Sequence, residues 1–207
     1  MIKVGLFGGT FSPPHVGHRR ALEYFIKEEG LSRVFVMPTY IPPHKHRADT
    51  TGAEDRFEMC RLAFGDIPQV SVSDLEIRRG GKSYTALTLE ALRKDGERLV
   101  FLCGTDMFLT LDEWYRPDAI FALADIVCMP RENDPAVLEA LREKSEIYRE
   151  KFRAVTRILA YTPTEISSSE IRAGFETGDA AAVAWIAPSV RDYVLEKGLY
   201  GSDGSQQ

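Results

Sequence analysis

Short β-rich runs alternate with amphipathic helical stretches along almost the whole of this chain, and that alternation restricts its fold more than any other feature. Val4–Phe7, Arg33–Met37, Val70–Ser73, Leu99–Cys103, Ile126–Met129 and Arg157–Ala160 read as strands. Helical patterns lie between them at His15–Glu29, Glu54–Phe64, Thr85–Lys94, Phe108–Leu111 and Ala136–Phe152. On the helix over 54–64, Phe57, Cys60 and Phe64 are the expected inner face. Strands joined by helical crossovers run parallel, since a hairpin cannot connect them. The expected class is therefore α/β, a parallel sheet flanked by helices. A small helical C-terminal part follows, opened by a capping box from Ser167 to Glu170 and closed by Pro188–Lys197 with Gly198 as its stop.

The length of 207 residues suits one domain, expected over residues 1–200, with residues 201–207 as a flexible tail. A formal charge of −5 excludes a globally cationic surface for nucleic acid or an anionic membrane, so an anionic ligand must meet a local basic site. Cys60, Cys103 and Cys128 form no CxxC pair and lie in apolar stretches, which predicts free thiols and a cytoplasmic protein. No apolar run reaches the roughly 18 residues that a membrane helix needs, and the first residues do not resemble a signal peptide. Oligomeric state leaves no mark in the sequence. On the helix over 136–152, Glu139, Arg142, Glu143, Lys144 and Glu146 read as a solvated face, so Lys144→Ala should change stability by less than roughly 0.5 kcal/mol.

In open parallel sheets, ligands bind beyond the carboxyl ends of the strands, and the first strand delivers Gly8-Gly9-Thr10-Phe11-Ser12-Pro13-Pro14-His15-Val16-Gly17-His18 to that edge. The glycines allow backbone amides to approach a phosphate, and the next helix adds its partly positive N-terminus. His15 and His18 are three apart and so share one side of the first helical turn. Neither GxGxxG nor GxxxxGK[ST] occurs here, which weakens hydride-transfer and P-loop readings. His44 and His46 stand at alternate positions, but no nearby Cys or carboxylate completes zinc-ligand spacing.

The segment GGTFxPxHxGH resembles the nucleotidyltransferase superfamily with an HxGH signature. Pro42-Pro43-His44-Lys45, Ser83-Tyr84-Thr85-Ala86, Gly104-Thr105-Asp106 with Trp114-Tyr115, and Ile166-Ser167-Ser168-Ser169-Glu170-Ile171-Arg172 are similar to the motifs of bacterial nicotinate-nucleotide adenylyltransferases, in that family's order. Pantetheine-phosphate adenylyltransferases match less well, being shorter and carrying Thr where this chain has His15. The resemblance implies a Rossmann-like sheet and adenylyl transfer from ATP, with Mg²⁺, to nicotinate mononucleotide. Nicotinamide mononucleotide or another phosphate acceptor is the alternative substrate, and a non-catalytic nucleotide sensor is the alternative class.

By the same resemblance, Gly8, Gly9, Thr10 and Phe11 line the ATP cleft, with Ser167 and Ser168 as further ATP contacts. His15, His18, Lys45 and Arg172 surround the reacting phosphates. On the acceptor, Trp114 stacks on the pyridine ring, amides near Thr85, Ala86 and Tyr115 meet its carboxylate, Asp106 accepts from the ribose, and Arg131 meets the phosphate. Taken by residue type alone, Trp114 reads more readily as a core or interface aromatic and Asp106 as a helix cap than as ligand contacts. Two positions depart from the family pattern: Ser12 stands where Asp is frequent, and Ser169 where Thr is common.

Overall fold

A computed structural model describes residues 1–41, 51–130 and 134–202. Its strands are β1 (Ile2–Gly9), β2 (Arg33–Pro38), β3 (Val70–Val72), β4 (Glu97–Cys103), β5 (Ala124–Cys128) and β6 (Thr156–Ile158). They form one parallel sheet in the order β3-β2-β1-β4-β5-β6. The helices are α1 (Val16–Glu29), α2 (Ala53–Phe64), α3 (Leu75–Arg79), α4 (Thr85–Leu92), α5 (Thr105–Leu109), α6 (Pro117–Leu123), α7 (Pro135–Phe152), α8 (Ser168–Thr177), α9 (Ala180–Val183) and α10 (Pro188–Glu196). Short 3₁₀ turns occupy Leu111–Glu113 and Leu199–Gly201. Residues 203–207, including most of the expected tail, lie outside the described residues.

Alternation along each strand sorts side chains onto two cores, because successive residues point to opposite faces of a sheet. Val4, Leu6, Leu99, Phe101, Cys103, Ile126 and Cys128 pack with α4, α6 and α7 on one face. Val34, Val36, Val100, Leu102 and Val127 pack on the other with Leu22 and Phe25 of α1, Met59 and Phe64 of α2, Ile171 of α8 and Val190 of α10. Helix α1 stops where Gly30 adopts a left-handed conformation (φ 59°) and its N–H bonds back to Ile26 and Lys27. All three cysteines are buried and form no disulfide, and burial pushes the thiols of Cys60 and Cys103 up.

The structure corrects the sequence reading at several points. The short helix expected at Phe108–Leu111 begins earlier, at Thr105, because extended Gly104 starts a helical turn directly after β4, and it ends at Leu109 before a separate 3₁₀ turn. Helices α3 and α6 were not anticipated, since five and seven residues are too few for a helical period to show. Phe57 is half-buried, and the inner side of α2 consists of Ala53, Arg56, Met59, Cys60, Ala63 and Phe64.

Lys144 is the fourth correction. Its ammonium does not lie on the solvated face but pairs with Asp112 at 2.9 Å, with 21% of the side chain exposed. The buried Tyr148, one helical turn further on, donates its hydroxyl to the Phe108 carbonyl and to Asp112. Burial raises the Asp112 carboxyl, but hydrogen bonding and charge from Lys144 overcome this and leave it below the ordinary range. Lys144→Ala should therefore cost about 1–2 kcal/mol at neutral pH, as expected for a partly buried charged hydrogen bond. The exposed Glu143→Ala should stay within about 0.5 kcal/mol. A folded-state pKa that is depressed gives stability above the unfolded value of about 3.9 and loses it as pH falls through the folded value. Denaturant titrations should thus find the Lys144→Ala penalty shrinking in acid, and a penalty independent of pH would count against this pairing.

Candidate active site

The strand order reverses between β1 and β4, which are neighbours at the middle of the sheet, so the loops after these two strands lie side by side at its carboxyl edge. The loop after β1 is fixed by its carbonyls. Gly9 accepts from the Thr39 N–H (2.9 Å), Thr10 from Arg56 Nη1 (2.9 Å), Ser12 from Arg172 Nη1 (2.7 Å) and Pro13 from the Ser168 hydroxyl (2.9 Å). The Ser12 hydroxyl lies 3.0 Å from that of Tyr200. Phe11 is left-handed (φ 51°), and its ring lies in the core against Phe7, His18 and Phe64, so only its backbone is offered to a ligand. The two glycines differ in purpose. A Cβ on Gly9 would come within 2.8 Å of the Phe11 ring, whereas one on Gly8 would meet nothing nearer than the Met37 carbonyl at 4.0 Å. Gly9 thus makes room for the loop's own aromatic.

His15 caps α1 in an extended conformation, and its ring centroid lies 3.7 Å from that of His18. The backbone N–H of His15 donates to His18 Nδ1 at 3.2 Å. A nitrogen that accepts carries no proton, so the neutral His18 ring bears its hydrogen on Nε2 and presents a donor there. Gly17 lies between the two rings in sequence because a Cβ there would approach His15 Nδ1 to 3.0 Å.

The N-terminus of α8 completes this side of the cleft. The Ser167 hydroxyl and N–H both donate to Glu170, whose own N–H returns a bond to that hydroxyl. Those bonds from Ser167, with a smaller contribution from His15, hold the Glu170 carboxyl below its usual range. The serine side chains expected to meet ATP are thus engaged within the protein, Ser167 in the cap and Ser168 on Pro13. Arg172 also reaches the Ser169 hydroxyl (3.2 Å). It braces the loop as well as standing beside it.

On the other side, Thr85 and Ala86 open α4, where the first amides of a helix have no acceptor within it. The Tyr84 and Tyr115 rings lie 4.5 Å apart at 34°. Trp114 is half-buried, edge-on to Phe101, and its indole N–H donates to Thr110 Oγ1, whose hydroxyl donates to the Asp106 carbonyl. Gly104, not Asp106, is the cap of α5, and Asp106 is exposed in the first turn. Lys45, His44, His46 and Arg131 fall outside the described residues.

Two residues at this site were not singled out from the sequence: Arg56 and Tyr200. Arg56 carried a readable signal, since it is a charged residue recurring at the spacing of the buried face of α2. Tyr200 carried none, because its partner Ser12 is 188 positions away.

Comparison with known proteins agrees with this geometry. The cytidylyltransferase-like family model matches residues 6–174. A Caldicellulosiruptor saccharolyticus protein named "probable nicotinate-nucleotide adenylyltransferase" is 33% identical over 199 residues, covering 96% of this chain and 99% of its own. A Geobacter sulfurreducens protein of the same name is 34% identical over 220 residues, covering 98% and 100%. The structure of Plasmodium falciparum nicotinic acid mononucleotide adenylyltransferase complexed with NaAD superposes with a TM-score of 0.75 at 16% identity, over 98% of this chain and 99% of that one, and attests the shared fold. A glycine loop at the sheet's switch point, a histidine pair on the next helix and relatives of matching length converge: the chain belongs to the cytidylyltransferase-like family and, within it, to the nicotinate-nucleotide adenylyltransferases.

Proposed function

We propose that this protein transfers the adenylyl group of ATP to the phosphate of nicotinate mononucleotide, giving nicotinate adenine dinucleotide and pyrophosphate in NAD synthesis. The observation that carries this reading is the loop from Gly8 to His18. Its carbonyls at positions 9, 10, 12 and 13 are drawn to protein donors, and a paired His15 and His18 start the following helix. That arrangement suits an anion and a reacting phosphorus.

The acceptor's phosphate oxygen attacks the α-phosphorus in line. A new P–O bond forms as the bond to the bridging oxygen of the β-phosphate breaks, and pyrophosphate leaves with that electron pair. A phosphate monoester is already ionised at neutral pH, so the protein has mainly to align two anions and stabilise charge as it develops. His18 Nε2–H and the His15 ring donate to phosphate oxygens around the α-phosphorus. The first amides of α8 and the cation of Arg172 face the triphosphate, joined by Lys45. The amides opening α4 meet the acceptor's carboxylate beside Trp114 and Tyr115, Asp106 takes the ribose, and Arg131 its phosphate.

Mg²⁺ belongs to the substrate as MgATP, where it offsets the charge of the departing pyrophosphate. Among the described residues no group of three or more His, Cys, Asp or Glu is placed to hold a metal. The same residues include no helix long and apolar enough to cross a membrane, and the buried cysteines, none in a disulfide, favour a cytoplasmic setting.

The test is pyrophosphate release from ATP with nicotinate mononucleotide, run beside nicotinamide mononucleotide and beside ATP alone. Release only with the acid is expected. Tight ATP binding without release from either mixture would make the protein a sensor and end this reading.

A further inference from the structure

Arg56 is a buried cation (4% exposed) on the core side of α2, and three separate segments converge on its guanidinium. Nη1 donates to the Thr10 carbonyl at 2.9 Å, Nη2 to the Tyr40 carbonyl at 3.3 Å and Nε to the Thr51 carbonyl at 3.4 Å. In a trans peptide the C=O and the following N–H point in opposite directions. Holding the Thr10 oxygen therefore turns the Phe11 N–H away from α2. The preceding peptide is treated alike, since Thr39 N–H holds the Gly9 oxygen and so turns the Thr10 N–H. Phe11 is left-handed (φ 51°), a conformation that occurs in the turns whose backbone N–H groups hold anions.

We propose that Arg56 is a positioning residue for the nucleotide: by holding the Thr10 carbonyl and the backbone that follows β2 on one rigid fork, it sets the direction of the amides that meet the ATP phosphates. This rests on the reading that the Gly8–His18 loop holds ATP. A lysine cannot reproduce it, because one ammonium on a flexible stem does not fix the relative positions of Thr10, Tyr40 and Thr51 as a planar fork does.

The experiment measures ATP binding by calorimetry without acceptor, and separately the KM for each substrate, in Arg56→Lys and Arg56→Met whose folding is checked by circular dichroism and melting. The expected result is ATP affinity weakened about tenfold or more in the methionine variant, partly restored in the lysine variant, with the KM for nicotinate mononucleotide within about twofold of wild type. Unchanged ATP affinity in a folded variant overturns the proposal. So does a parallel loss for both substrates, which is the mark of a residue that only supports the fold, and so does the failure of both variants to fold. Should the wild type bind ATP yet transfer nothing to nicotinate mononucleotide, the functional reading falls, while the calorimetric comparison still decides the role of Arg56.

Discussion

His18→Ala should lower kcat by two to three orders of magnitude with little change in melting temperature. The His15 N–H occupies Nδ1 of His18, so in the proposed reaction the ring would meet the reacting group through Nε2–H, and losing one well-placed donor to developing charge typically costs about 10²–10³ in rate. A second variant separates this role from the simpler one of capping α1. In His18→Asn the amide oxygen can take the place of Nδ1 and keep the cap, but no donor then reaches the Nε2 position. Both variants should be slow. Recovery of turnover in His18→Asn would reduce His18 to a cap, and near-normal rates in His18→Ala and His15→Ala together would remove the pair from the chemistry. Arg142→Ala, on an exposed stretch of α7, is the control for general loss of a positive charge and should leave rates unchanged. Lys144 cannot serve that purpose because its ammonium ties α7 to Asp112.

Nicotinate mononucleotide should be preferred to nicotinamide mononucleotide by about 10²–10⁴ in kcat/KM. The amides that open α4 at Thr85 and Ala86 can only donate, and a carboxylate accepts from both of two donors. A carboxamide accepts at one atom alone and turns its NH₂ toward the other donor, leaving a buried group unpaired at about 1–3 kcal/mol for each mismatch. Trp114→Ala should weaken both acceptors through lost stacking yet keep most of their ratio, since a ring face does not distinguish acid from amide. Steady-state kinetics at saturating ATP decide the matter. Equal efficiencies in the wild type would overturn acid selectivity without touching adenylyl transfer itself.

Strands, most helices and the glycine loop were legible because their signals are local. The unbroken apolar run of Leu99 to Cys103, the stop at Gly30 and the Ser167–Glu170 box each lie within a few residues of the structure they specify. What escaped depends on partners distant in the chain. Lys144 looks like one more solvated charge until α7 lays it beside Asp112, 32 positions away. Arg56 interrupts an apolar face without showing that the carbonyl of Thr10, 46 positions earlier, awaits it. At the site, residue types were readable but the division of labour was not: the hydroxyls of Ser167 and Ser168 bond within the protein, and Phe11 turns its ring into the core.

The bracing of the loop after β1 also sets when the site can exist during synthesis. Ser168, Arg172 and Tyr200 reach Pro13 and Ser12 from 155, 160 and 188 positions downstream. All six strands precede these three residues in the chain and are synthesised before any of them. Its hydrophobic sheet can therefore collapse while the loop still lacks its C-terminal supports, and closing so wide a chain separation is among the later events of folding. An unfinished polypeptide released after β6 would carry the complete sheet and both histidines, yet be a poor trap for cellular ATP, because Ser168, Arg172 and Tyr200, which brace the loop, would all be missing.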